Sequence, residues 1–250
     1  MEEIKKSLVS EVARLQRRFV HITNNTYIFV QQAIPLLHEA KNEIEVSKGS
    51  RRYYIPSVGT KQIAQRTDKQ LQEIYDKFID RELYENFIVT AVSRFEFFLF
   101  QVLRLVISAY PSKLTLNIKG VQTSRSVPLD LLLDSSDLQE AFDRIVSKRL
   151  YEVLYATPRS YLEYFSNITA VDTSRPIFVD YIEIKATRDL IIHNSGIVNE
   201  VYLSKVGDRK RGNVGEETEI NAEYFSHCIA TLKRLARTIN RDIERNFGKD

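Results

Sequence analysis

Residues 221–247 read NAEYFSHCIATLKRLARTINRDIERNF, and the apolar positions Phe225, Ile229, Leu232, Ala236, Ile239 and Ile243 step by 4, 3, 4, 3 and 4. That rhythm draws one seam along an α-helix, and so regular a seam is covered by other helices. Arg234, Arg237, Arg241 and Arg245 fall on the opposite face at about 100 degrees per residue. Four guanidiniums in a row suit a phosphate backbone, and their planes suit stacking on unpaired bases. The plainer reading of the stripe is a solvated face, softened by Asp242 and Glu244.

Upstream, the pattern is helical almost throughout. Residues 2 to 45 keep helical periodicity with Pro35 as a kink or break, and residues 47–52 mark a turn. Ile63, Leu71, Ile74, Tyr75 and Phe78 continue a second helical segment to Asp80, so residues 1–80 read as an N-terminal helical extension. A long apolar helix follows from Arg81 to Tyr110 and is closed by Pro111. In residues 112–135, Leu114, Leu116 and Ile118 alternate before Gly120 and a Ser-rich turn, which predicts a short hairpin or a flexible insertion. Ser136-Asp137-Leu138-Gln139 resembles a capping box opening a helix to about Ala156, and Thr157-Pro158 opens a shorter one. The fold expected is therefore all-α: a helical bundle over residues 81–250, with the extension before it and the insertion at about 112–135.

Composition agrees with a packed domain. The chain has 250 residues, of which 43% are hydrophobic and 10% aromatic, enough for a full core in one large domain or for a core plus an appendage. The longest uncharged apolar run near the Phe-rich segment is Phe97 to Leu103 apart from Gln101, far below the roughly 20 residues of a membrane span. Met1-Glu2-Glu3-Ile4-Lys5-Lys6 lacks the basic flank and apolar core of a signal peptide, so a cytoplasmic protein with no membrane partner is expected. Cys228 is the only cysteine, which excludes an internal disulfide and a cysteine-built zinc site. The net charge of +3 is mild and does not by itself demand a nucleic-acid partner.

Chemistry concentrates in Arg188-Asp189-Leu190-Ile191-Ile192-His193-Asn194-Ser195-Gly196. Arginine holds phosphate through forked donors at any cellular pH, and histidine moves protons near neutrality. Of the four histidines, His21, His38 and His227 have Gln16, Ala33 and Ala222 five residues before them; His193 alone has an arginine there. Phe178, Ile182, Ala186 and Ile192, with Val179, supply an apolar stripe, Ser174-Arg175-Pro176 offers a helix start, and Gly196 ends it. The plainer alternative is a helix end with a solvated Arg and a capping His. Glu96, alone in Val92-Ser93-Arg94-Phe95-Glu96-Phe97-Phe98-Leu99, either pairs with an arginine such as Arg94 or Arg104 or orients Arg188 or His193 from a neighbouring helix.

Arg188-Asp189-Leu190-Ile191-Ile192-His193 resembles the signature of the HEPN superfamily: an Arg, a polar Asn, Asp or His, three further residues, then His. Glu96 in its apolar run and the order of short helix, polar turn and long last helix after His193 are also similar, so the resemblance covers about residues 81 to 250. It departs from one toxin branch, where a tyrosine follows the His by two, since Ser195 stands there. The resemblance implies an all-helical, metal-independent endoribonuclease that needs no cofactor and acts as a homodimer. It also implies a setting as toxin or phage-defence effector, with an antitoxin or defence-system protein as a further partner.

In that mechanism His193 takes the proton of the substrate's 2'-hydroxyl or delivers one to the leaving 5'-oxygen, Arg188 holds the phosphate, and Asp189 positions the Arg or His. Positions five apart on a helix differ by about 140 degrees, so Arg188 and His193 diverge and a second copy would complete the site. The runner-up is a non-catalytic HEPN-like module that dimerises or holds RNA or protein, and a purely structural helical adaptor comes third. Gly207 to Val214 has the glycine spacing of a phosphate loop, but Asn213 and Val214 replace the residues that reach phosphate and magnesium. Its basic run Arg209-Lys210-Arg211 is either a solvated loop or an RNA contact beside His193. No G-x-S-x-G elbow and no H-E-x-x-H pair occur.

Overall fold

A computed structural model describes residues 2–46, 51–55, 59, 62–116, 126–127 and 129–248. The chain is an all-α bundle in which α1 (Glu2–Val46), α3 (Leu83–Ala109), α7 (Pro176–Asn194) and α9 (Ala222–Phe247) carry most of the core. α3 lies at the centre, against α1, α9, α7, α5 (Leu138–Leu154) and α6 (Pro158–Thr169). Its Phe95 meets Phe19 of α1 at 5.5 Å and Tyr181 of α7 at 5.0 Å between ring centroids. The six seam residues of α9 are all buried beneath α1, α3 and α7. Each large apolar side chain so buried contributes about 1.5–3 kcal/mol, which holds α9 against the other helices.

The first helix belongs to this same core, through Leu8, Val12, Phe19 and Val30. It runs through Pro35 without ending, because both halves have partners: Val30 packs in the core before the proline, and Lys41 after it holds Asp76 of α2 (Asp68–Lys77) at 2.6 Å. Residue Ile63, expected in a helix, lies in β2 (Gln62–Arg66), which pairs antiparallel with β1 (Arg51–Ile55). Helix starts only where Thr67 caps it, its hydroxyl accepting the Gln70 N–H at 3.2 Å while the Gln70 side chain accepts the Thr67 N–H at 3.1 Å. α2 then passes through a π-helical turn, Phe78–Glu82, into α3, so the boundary at residue 80 is a change of winding and not a break.

Two further expectations change. Leu114 sits in a 3₁₀ turn, Pro111–Thr115, with its carbonyl accepting from Arg149 at 3.2 Å, and not in a strand. Ile118 and Gly120 lie outside the described residues, while Leu129–Leu133 forms the short helix α4. Val179 and Ile192 stand 42% and 45% exposed, because α7 buries a broad face of Phe178, Ile182, Ala186 and Leu190 against α3, α8 (Glu200–Val206) and α9 and turns these two outward. The continuous helix from Asp68 to Ala109 is long and apolar enough to cross a membrane by length and composition. Much of that apolar surface is core, yet Phe97 stands 62% exposed.

Candidate functional site

The helix carrying the Arg and His is closed by backbone geometry that fixes where His193 sits. Ser195 takes a left-handed conformation (φ 52), Gly196 follows at φ 76, and its N–H reaches back to the Leu190 carbonyl at 3.0 Å. The Gly196 carbonyl accepts both the N–H and the hydroxyl of Thr218 at 2.9 Å. A side chain at Gly196 would meet the Arg81 guanidinium, which Glu85 and Glu217 hold in place at 2.6 and 2.7 Å. A small satellite core of Ala186, Leu190, Val198, Tyr202 and Val206 clamps α8 onto the end of α7. The last turn is thus rigid, and His193 projects from it into solvent.

Arg188, in contrast, lies half-buried in a cluster built from three helices. Its Nη1 donates to Asp189 at 3.1 Å, its Nη2 donates to the Ser93 hydroxyl at 3.4 Å and stands 3.8 Å from Glu96, and its buried Nε has no partner among the described residues. Lys205 of α8 holds the other Asp189 oxygen at 3.1 Å, and Lys185 is bonded to Glu96. Burial pushes the Asp189 carboxyl up, but Lys185, Lys205 and Arg188 outweigh it and hold the group below the usual carboxylate value. Beneath Glu96 and Lys185 the floor is closed by Tyr161, Tyr181 and Pro158, and the Tyr161 hydroxyl is buried without a partner among the described residues. Three cations face two carboxylates here, and the two longest contacts of Arg188, to Ser93 and Glu96, are the ones an incoming phosphate oxygen could replace.

The sequence-predicted residues are therefore brought together in part. Glu96, Arg188 and Asp189 form one cluster; His193 makes no hydrogen bond or ion pair with any of them. Arg94 and Arg104, weighed as partners of Glu96, bond instead to Thr26 at 3.0 Å and Asp143 at 3.7 Å. Arg209 pairs with Asp180 at 3.4 Å and Lys210 with Asn213 at 3.1 Å. Arg211 lies 3.3 Å from the centre of the Tyr224 ring and donates to the Glu219 carbonyl, a packing position. Arg234, Arg237 and Arg241 are exposed and have no carboxylate partner among the described residues, while Arg245 pairs with Asp242 at 3.3 Å. Lys185 and Lys205 were not singled out by sequence; the i,i+3 and i,i+4 spacing from Lys185 to Arg188 and Asp189 was the available signal.

One buried acid also escaped the sequence reading. Glu183, 5% exposed, accepts from Thr187 at 2.7 Å, Tyr202 at 3.2 Å and Tyr224 at 3.0 Å, tying α7, α8 and α9 together one and a half turns before Arg188. Burial raises its pKa against the pull of those donors and of Arg211. Comparison with known proteins finds no matching family model, no matching curated protein and no matching solved structure.

Proposed function

We propose that this protein is a HEPN-like endoribonuclease that cuts through the substrate's own 2'-hydroxyl without a metal. The observation that carries the reading is the division of labour at the end of α7: an Arg188 guanidinium held in a half-buried charged cluster, and a solvent-facing His193 on a rigid helix end. Arg188 gives up its weak contacts to Ser93 and Glu96 to take the scissile phosphate and the charge that grows on it. His193 moves the proton to or from the reacting oxygen. Asp189, bonded to Arg188 and not to His193, positions the arginine. The exposed Arg234, Arg237 and Arg241 supply electrostatic tracking of the strand. The biological setting that goes with this chemistry is that of a cytoplasmic toxin or phage-defence effector, controlled by a partner protein.

The test is product chemistry. Cleavage should proceed in EDTA, leave a 2',3'-cyclic phosphate and a 5'-hydroxyl, and fail on DNA or on RNA with a 2'-O-methyl at the cut. His193→Ala should lower the rate by at least about 10², the scale of losing a general acid or base, with the fold intact by circular dichroism. Activity that requires magnesium, or that survives His193→Ala, would reject the mechanism and leave a non-catalytic RNA- or protein-binding module in front.

A further inference from the structure

The exposed ring of Phe97 borders a groove between α1 and α3 that the catalytic reading does not use. The groove encloses about 470 Å³, within the roughly 300–1,000 Å³ of small-ligand sites. Phe19 and Phe98 line its floor, Phe97 stands 62% exposed beside it, and Arg18 and Arg94 also line it. Among the described residues no Asp or Glu lines it, neither guanidinium has a carboxylate partner, and Arg94 donates only to Thr26. Aromatic surface bordered by uncompensated guanidiniums is complementary to a group that is both flat and anionic. Ser93, which also lines the groove, accepts from Arg188 at 3.4 Å, so the groove runs up to the candidate phosphate position.

From this geometry we infer that the groove seats a nucleotide of single-stranded RNA, its base stacked on Phe97 and its phosphates on Arg18 and Arg94, next to the nucleotide held by Arg188. The inference rests on RNA being the ligand of the Arg188 site, and it names the specificity-determining surface of that site. A base in a duplex cannot present its face to a side chain, so only unpaired RNA fits. Stacking is tolerant of base identity, which makes the groove a selector for single strands more than for sequence.

Fluorescence anisotropy with a labelled, fully 2'-O-methylated single-stranded RNA, which cannot be cut, separates binding from catalysis. Phe97→Ala should weaken binding by about ten-fold or more, while Phe97→Tyr, which keeps the ring, should bind as the parent does. Arg18→Ala should weaken binding and flatten the slope of log affinity against log salt by about 0.7, the share of one phosphate on a single strand. Duplex RNA should not displace the probe. Unchanged affinity in Phe97→Ala, or no binding of the probe by the parent protein, overturns the inference. So does a fall in molar mass on Phe97→Ala with RNA affinity unchanged, which would make the groove a contact between protein chains. Binding that depends on Phe97 in a protein that cuts no RNA would keep the groove and end the nuclease reading; cleavage unaffected by Phe97→Ala would do the reverse.

Discussion

Glu183 occupies a place that hydrocarbon would fill with less penalty, since an ionised carboxylate loses its hydration there. Three hydroxyls offset part of that loss, and burial still prevails, holding the proton above the ordinary value of 4.5. The sign of the consequence is definite. The folded state binds this proton more tightly than the unfolded chain, so the group's contribution is full below its ordinary value and is lost as pH rises through the raised one. Glu183→Gln does not titrate, and its melting temperature relative to the parent should therefore rise between pH 4 and pH 7. Scanning calorimetry that finds the same difference at both pH values would show that the carboxyl carries no linkage. At this scale the sequence revealed the odd residues and not their company. Arg188, Asp189 and Glu96 stood out by motif and context, whereas Glu183, Lys185 and Lys205 gain meaning only when α3, α8 and α9 meet α7.

α9 shows what periodicity can and cannot decide for an element. Its six seam positions are buried and its arginine stripe faces solvent, as a 3.6-residue period requires. Whether that stripe holds RNA is a matter of counterions. If Arg237 and Arg241 each neutralise a phosphate, the double alanine variant should lower the salt slope of single-stranded RNA binding by about 1.4, about 0.7 for each contact. A slope equal to the parent's, measured from 50 to 200 mM salt, would assign the stripe to solvation. Elements whose identity depends on tertiary partners were less legible. The β1–β2 pair and the π-helical turn lie where polar and apolar residues fit no clean period, so the capping of Thr67 and the joining of α2 to α3 set the outcome. Val179 and Ile192 look like core on a helical wheel; they face outward because the packed face of α7 lies to the side of them.

For the whole molecule, the separation of Arg188 from His193 is the feature with the largest consequence. One is half-buried against α3 and the other projects from the helix end, with no bond between them, so one chain presents the two halves of the proposed chemistry in different directions. If a two-fold dimer joined near the end of α7 sets the Arg188 of one chain opposite the His193 of the other, the same pair recurs at the symmetry-related position, because an isologous contact repeats every cross pair twice. Light scattering should then report twice the chain mass at micromolar concentration. Complementation gives the sharper test. Arg188→Ala and His193→Ala should each be inactive alone, and an equal mixture allowed to exchange subunits should regain about a quarter of parental activity: half of the dimers are mixed, and each mixed dimer holds one intact site of its two. A mixture as inactive as its components, despite subunit exchange shown by mass spectrometry, would place both groups of each site on one chain. A monomeric protein with full nuclease activity would remove the need for a second copy altogether.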